Sequence, residues 1–405
     1  MILGLLLCPW ITLSSSPLTF DDAVSNTLRL SPSLRIADSL VDASEGEQLN
    51  SSFYPNPVFA YSVENVFGNK DWRGWKSAES RYELEQLVEL GGKRGYRFQS
   101  ATYQHYAAQA GYEAKQIALL NRLLKLFAVA ASAQEIYLVA QEQIQLAEES
   151  LNTVKAKVDS GKVSLIQQNK AQIAFLNSQM HLVKAQSKFE QSKLALSMMW
   201  GCTCPEFDTV AFSFYDIQIP KPYNTCVEEL ECNPELTRSY MEQLAAQENL
   251  SLERAKAIPD VVFTLGYKTL QDTHHRGLIL GAAIPLPIFN RNQGNIQKAK
   301  AENLRTQENY AQINQLLKTK LSIAHQRLQL AYFEADTIRS TVLKTSVESY
   351  DLAKDGYEEG KFEYLDLLDS QNTLFDVRVR YIEALEKYHQ SVADIEYINT
   401  EDNDL

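Results

Sequence analysis

The chain has 405 residues, 45% hydrophobic and 22% charged, with 16 Gly and 12 Pro, so it carries enough apolar material for a core and is neither disordered nor collagen-like. Its 51 acidic side chains outnumber 39 basic ones, a formal charge of −12, and no run of Lys and Arg stands apart from acids. That balance argues against nucleic acid or anionic lipid as the main partner.

The chain opens on a charge-free apolar stretch, Met1 to Leu13, too short to span a membrane but suited to the core of an export signal, and the small residues Ser14 to Ser16 follow it. Residues 1–16 are therefore expected to be a signal peptide, although no Lys or Arg precedes the apolar run. A lipid anchor at Cys8 is disfavoured because Leu7 is not a small residue. Export predicts an oxidising compartment for Cys202, Cys204, Cys226 and Cys232. Cys202 and Cys204 stand too close for an unstrained bridge, so Cys226 with Cys232 is the pairing favoured nearby, with longer-range pairs, free thiols and a four-thiolate metal site as alternatives.

Landmarks then recur in order, which indicates an internal duplication. Ser31-Pro32-Ser33-Leu34 returns as Asn233-Pro234-Glu235-Leu236, and Tyr54-Pro55-Asn56-Pro57-Val58 as Ile258-Pro259-Asp260-Val261-Val262. Gly91-Gly92-Lys93-Arg94 aligns with Asn290-Arg291-Asn292-Gln293, and Ser160-Gly161-Lys162 with Glu359-Gly360-Lys361, both at an offset of 199. The copies are read as residues 17–200 and 226–398, joined by the Pro-broken segment 201–225 and followed by a tail, 399–405.

Each copy begins with alternating segments, in strands between 58 and 90 and between 261 and 286. In Ala78 to Leu90, Tyr82, Leu84, Val88 and Leu90 share one face, while Glu79, Arg81, Glu83, Glu85 and Glu89 share the other. Val58 to Phe67 alternates in the same way. Long Gly- and Pro-free stretches rich in helix formers follow, predicting helical hairpins over 93–199 and 292–398 that reverse at Asp159 to Val163 and Gly356 to Phe362. A helix from Lys93 to Asp159 is on the order of 100 Å long. Strands of about ten residues with an apolar and a charged face in an exported chain fit a transmembrane barrel, and four strands close only by oligomerisation.

At this point the mature chain resembles the TolC family of outer-membrane efflux proteins. The most specific match is Gly356-Tyr-Glu-Glu-Gly360-Lys-Phe-Glu-Tyr-Leu-Asp366-Leu-Leu-Asp369-Ser-Gln371, which is similar to that family's second hairpin tip; Glu89-Leu-Gly-Gly-Lys-Arg94 is similar to the strand-to-helix junction of the CzcC-like, cation-exporting branch. The resemblance implies a mainly α fold with a transmembrane β part: a homotrimer with a 12-stranded barrel in outer-membrane lipid and an α-helical periplasmic barrel. It also implies a passive channel of a tripartite efflux or type I secretion system, with a periplasmic adaptor protein and an inner-membrane pump as partners. Segment 201–225 corresponds to an equatorial linker. The strand-helix junction falls at Gly91, Gly92, Lys93 and Arg94, and adaptor-docking tips at Gly161, Lys162, Val163, Gly360, Lys361 and Phe362. Asp366 and Asp369, one helical turn apart, are implied as a periplasmic gate. The first copy has Gln167 and Lys170 there, which suggests Lys170 as a latch to a neighbouring hairpin's Asp369.

No hydrolase, metalloprotease, nucleotide or dinucleotide signature is present, so no catalytic residue, resident metal or cofactor is expected. The six histidines are mostly isolated, and His274-His275 is expected in an external turn. An exported coiled-coil protein without a pore is the alternative; it accounts for the helices but not for the alternating strands.

Overall fold

Glycine, proline and β-branched residues divide the chain much as expected. The computed structural model describes residues 17–399; the expected signal peptide, 1–16 with Cys8, and the tail beyond Asn399 lie outside the described residues. In chain order the elements are β1 (Leu18–Thr19), α1 (Phe20–Leu30), α2 (Pro32–Ser52), β2 (Val58–Glu64), β3 (Glu79–Val88), α3 (Lys93–Asp159) and α4 (Leu165–Ser197). They continue with β4 (Val210–Ala211), α5 (Tyr223–Glu229), α6 (Pro234–Ala255), β5 (Val261–Leu270), β6 (Arg276–Ala283), α7 (Gln293–Thr337), α8 (Leu343–Glu358) and α9 (Tyr364–Ile398). The chain divides into a sheet-bearing unit, residues 36–113 with 234–315, and a helical unit formed by the remainder.

In the sheet-bearing unit four antiparallel strands lie in the order β2-β3-β5-β6, so the two copies join through β3 and β5. The register aligns Phe59, Leu84, Leu265 and Leu280 in one cross-strand row, and Tyr61, Tyr82, Tyr267 and Leu278 in the next. These eight side chains are 40–80% exposed, so one face of the sheet is apolar and bare. The opposite face carries Glu64, Glu79, Arg81, Glu83, Glu85 and Lys268. Strand β2 stops at Glu64 rather than Phe67 because Asn65 and Phe67 take positive φ. Strand β6, Arg276–Ala283, ends before the expected limit of 286, since Pro285 and Pro287 supply no ladder donors.

The helical unit packs Leu123, Phe127, Ala130 and Ala131 of α3 against Leu196 of α4 and Ile382 and Leu385 of α9. Phe207, Val210 and Phe214 of the segment between the copies enter the same core, and β4 pairs in parallel with β1. His389 of α9 is buried there, its Nε2 2.9 Å from the Phe214 carbonyl, and burial lowers its pKa.

Three features were not anticipated. Helices α1, α2 and α6 precede the strands. Thr19 caps α1 by accepting the Asp22 N–H, and the duplicated Ser31-Pro32 and Asn233-Pro234 pairs mark the starts of α2 and α6. The second long helix is not continuous: a π-helical turn, Ile338–Val342, separates α7 from α8, in a Thr- and β-branched-rich run that disfavours tight helical turns. The bridge between Cys226 and Cys232 is not formed. All four cysteines of the described residues are free, because Cys226 points into the core from α5 while Cys232, one short turn later, faces outward.

Candidate functional site: hairpin tips and sheet junction

The helix stops at the two tips are the same structure built twice. At the end of α3, Gly161 N–H donates to the Val158 carbonyl and Lys162 N–H to that of Lys157, both at 2.8 Å. At the end of α8, Gly360 N–H donates to Tyr357 (3.2 Å) and Lys361 N–H to Gly356 (2.8 Å). This is the paired hydrogen-bond pattern of a left-handed helix stop, and Gly161 and Gly360 adopt φ of +73° and +78° as it requires. Gly161, Lys162, Gly360, Lys361 and Phe362 are exposed at the turns, and Val163 is half-buried. Gly356 has a separate role, since a Cβ there would lie 2.1 Å from the Phe362 ring that folds over it.

Behind the turns, Leu151, Val154, Ala171, Tyr357, Tyr364 and Leu367 form a small core. Lys157 ties the copies together, with its Nζ 3.6 Å from the centre of the Tyr357 ring and 3.2 Å from the Tyr357 carbonyl. Burial pushes the Tyr364 hydroxyl up to about 12, with a further contribution from Tyr357.

Asp366 has a structural task that the sequence reading missed. Its carboxylate accepts the Glu363 N–H at 2.9 Å, while the Glu363 side chain accepts the Asp366 N–H, a reciprocal cap at the start of α9. The spacing Glu363-x-x-Asp366 carries that signal, with acidic residues at both capping positions. Asp366 and Asp369 are both exposed on successive turns. Lys170 borders a groove with Leu368, Asn372 and Asp376 and forms no ion pair with Asp369 within one chain. In the first copy Ser164 makes no side-chain cap, and the buried Oε1 of Gln167 has no hydrogen-bond partner.

At the strand-helix junction, Gly91 and Gly92 take φ of +75° and +76°, and a Cβ on Gly91 would stand 2.8 Å from Ile258. Buried Lys93 places its Nζ 2.6 Å from Asp260, whose carboxylate also accepts the Leu90 N–H. Arg97 makes two hydrogen bonds to Glu89, at 2.7 and 3.1 Å, and donates to the carbonyls of Ser51 and Phe53. Arg94 lies over the Tyr54 ring at 4.1 Å. Every charge in Glu89-Leu-Gly-Gly-Lys-Arg94 is thus used to fasten strand to helix. In the second copy Asn292, with φ of +61°, takes the position of Gly92, an offset of 200 rather than 199, and its amide donates to Glu253.

Among the described residues no cluster of three or more His, Cys, Asp or Glu is arranged to hold a metal ion. His274, with φ of +57°, and His275 lie in the turn between β5 and β6.

A sheet with one bare apolar face, one charged face and long paired helical hairpins has the build of an outer-membrane channel subunit. The family model described as outer membrane efflux protein matches residues 27–202 and again 226–398, one match per copy, and the chain belongs to that family. The chain is 29% identical to the cobalt-zinc-cadmium resistance protein CzcC of Cupriavidus metallidurans over 385 residues, 95% of this chain and 90% of that one. It is 24% identical to the cation efflux system protein CusC of Escherichia coli K12 over 261 residues, 59% of this chain and 56% of the other. Among solved structures, it superposes on a membrane protein from Pseudomonas aeruginosa with a TM-score of 0.81, at 18% identity and covering 94% of this chain and 92% of that one. The outer membrane protein VceC of Vibrio cholerae gives a TM-score of 0.79 at 16% identity, covering 94% and 95%. The protein is therefore placed in the outer membrane.

Proposed function

We propose that three copies of this chain close into a twelve-stranded barrel and form the passive exit channel of a tripartite export system, with a periplasmic adaptor and an inner-membrane pump supplying cargo and energy. The single observation that carries this reading is the four-stranded sheet: its bare apolar rows suit lipid, and its two edge strands need neighbours. The cargo is proposed to be divalent cations. The polar face supports this, with Glu64, Glu79, Glu83 and Glu85 against Arg81 and Lys268, as does the similarity to CzcC, which is named for cobalt, zinc and cadmium resistance.

In the same reading residues 1–16 are the export signal, 201–225 form the equatorial linker and the two glycine turns meet the adaptor. Asp366 and Asp369 of each chain line the periplasmic constriction, and Lys170 latches a neighbouring hairpin.

The test joins conductance to tolerance. The assembled protein should conduct in planar bilayers, and co-expression with a cobalt-zinc-cadmium pump and adaptor should restore metal tolerance to a host lacking its own channel. Leu84→Arg on the apolar face should cost about 2 to 4 kcal/mol near the bilayer centre and abolish both, whereas Glu83→Gln should be mild. Absence of conductance from the wild-type assembly removes the channel reading; conductance without metal tolerance removes only the cation cargo.

A further inference from the structure

Every strand-to-helix connection lies at one end of the sheet: α2 leads into β2, β3 into α3, α6 into β5, and β6 into α7. The opposite end carries only the β2–β3 loop, residues 65–78, and the β5–β6 turn, residues 271–275. On the channel reading above, on which this inference rests, the helices lie on the periplasmic side and this loop end faces the outer leaflet and the cell exterior. The larger loop is unlike the rest of this acidic chain. Lys70, Arg73 and Lys76 are exposed and in no ion pair among the described residues, whereas Arg81 at the strand end is held by Glu64 and Glu79.

The loop is built rather than merely extended. Gly68 N–H donates to the Trp72 carbonyl at 3.0 Å, Trp72 N–H to Asn69 at 3.1 Å and Arg73 N–H to Lys70 at 3.2 Å. The Ser77 hydroxyl fixes the Asp71 carbonyl at 2.6 Å, and a side chain at Gly68 would meet Trp72 Cβ at 2.8 Å. Phe67 and Trp75 pack edge to face at 6.3 Å, yet Phe67, Trp72 and Trp75 remain 82%, 57% and 60% exposed. The three cations, with Asp71, Asp272 and Trp75, border an open recess of about 900 Å³. Even with both carboxylates counted, it carries an excess of one positive charge.

Two rows toward the periplasm lies the Tyr61-Tyr82-Tyr267 band, where aromatic rings suit the membrane interface. The exposed loop aromatics and cations thus lie beyond this band at the same end of the sheet, at the level where lipid headgroups begin. The tryptophan rings favour a boundary between apolar and wet surroundings, and unpaired Lys and Arg favour phosphate.

We propose that the 65–78 loop is a binding site for a phosphorylated lipid headgroup of the outer leaflet, with Lys70, Arg73 and Lys76 on the phosphate and Phe67, Trp72 and Trp75 against the lipid's apolar boundary. The overall negative charge of the chain does not oppose this, because charges separated by more than a Debye length of about 8 Å are largely screened at physiological salt. Occupancy anchors the external end of the sheet to lipid and does not depend on the channel's cargo.

The full-length protein, purified as its assembly in detergent, is titrated with diphosphoryl lipid A, and bound lipid is read by native mass spectrometry. Replacing Lys70, Arg73 and Lys76 together with Ala should weaken binding by roughly fivefold per charge, on the order of a hundredfold in all. Retaining the charges with Lys70→Arg and Lys76→Arg should preserve binding, which separates charge from loop folding. Dephosphorylated lipid A should bind as weakly to the wild type as the phosphorylated form does to the triple variant. The double variant Lys318→Ala with Lys320→Ala, exposed on α7, should bind like the wild type. Equal binding by the triple variant and the wild type overturns the site. Full displacement of lipid by millimolar inorganic phosphate also overturns it, as a free-anion site rather than a lipid site.

Discussion

The two hairpin tips share a backbone and differ in almost every side chain behind it. Gly161 and Gly360 close the same paired hydrogen bonds at nearly the same φ. Yet Val158, Leu165, Gln167 and Lys170 of the first tip stand where the second has Tyr357, Tyr364, Asp366 and Asp369. The difference separates two constraints. Reversing a helix within a few residues demands one left-handed residue whatever surrounds it, so duplication preserves the glycine. The side chains behind the turn answer to packing and charge, which need not be equal in the two copies. The second tip holds the aromatic pair and a capped helix start; the first contributes Lys157 and the cationic Lys170.

The shared constraint predicts the largest effect, and an equal one. Gly161→Val and Gly360→Val should each destabilise their tip by about 2 kcal/mol or somewhat more, since a left-handed conformation costs an ordinary residue about 1 to 2 kcal/mol and β-branching adds to it. Hydrogen exchange of the amides at 156–163 and 355–362 reads the two sites separately. A loss confined to one tip breaks the equivalence.

The aromatic pair predicts an asymmetry in alkali. Buried Tyr364 keeps its proton up to about 12, whereas in the unfolded chain it ionises near 10, so the folded form binds more proton above pH 10. The sign follows: the contribution is fully present below pH 10 and is lost as pH rises toward 12, amounting to about 1 kcal/mol by pH 11. Tyr364→Phe should flatten this limb of the stability profile. The first tip, with Leu165 at that position, has no phenol to ionise.

Helix starts give the next smaller effect. Removing the reciprocal cap with Asp366→Ala should cost about 1 kcal/mol, close to the usual value for a capping side chain. Gln167→Leu should be neutral or slightly stabilising, because the buried Oε1 it removes has no partner. Thermal unfolding of the two variants under one condition checks both. A larger loss from Gln167→Leu than from Asp366→Ala would show that the first tip depends on a contact absent from the single chain.

Much of this architecture was legible because periodicity and punctuation act locally. The alternation of Tyr82, Leu84 and Val88 with Arg81, Glu83 and Glu85 gave the sheet's two faces, and Gly161 and Gly360 gave the hairpin stops, since both signals need only neighbours in sequence. The π-helical turn at Ile338 was not legible, because it reflects a balance between strained helix and packing along a run that otherwise reads as helix. Helices α1, α2 and α6 were less legible although their starts at Thr19, Ser31-Pro32 and Asn233-Pro234 carry capping signals, because a Pro pair that recurs in both copies marks the duplication as readily as it marks a helix start. The cysteines show the limit of spacing arguments. Cys226 and Cys232 are six residues apart in sequence, but a helix and a tight turn aim one inward and the other outward. At the junction, Lys93 and Arg97 acquire meaning only when Asp260 and Glu89 are in place.

The smallest effect on stability attaches to the pair with the largest expected effect on transport. Asp369 is exposed and takes no part in the cap that occupies Asp366, so Asp369→Asn should change unfolding by less than about 0.5 kcal/mol. This makes Asp369 the cleaner probe of a gate, because the double replacement of Asp366 and Asp369 confounds lost charge with a loosened helix start. If three copies bring Asp369 to the constriction, Asp369→Asn removes three carboxylates at once, and cation selectivity and divalent-ion block in planar bilayers should both weaken. Lys170→Ala should raise resting conductance, since it removes the cation proposed to hold the neighbouring Asp369 while leaving that carboxylate in place. Exchanging the pair, Asp369→Lys with Lys170→Asp, should restore closure but not cation selectivity, because the latch needs opposite charges whereas the lumen field depends on which sign lines it. Unchanged conductance, selectivity and block in all three variants would place Asp369 on an ordinary solvated helix face and leave the two tips different in packing alone.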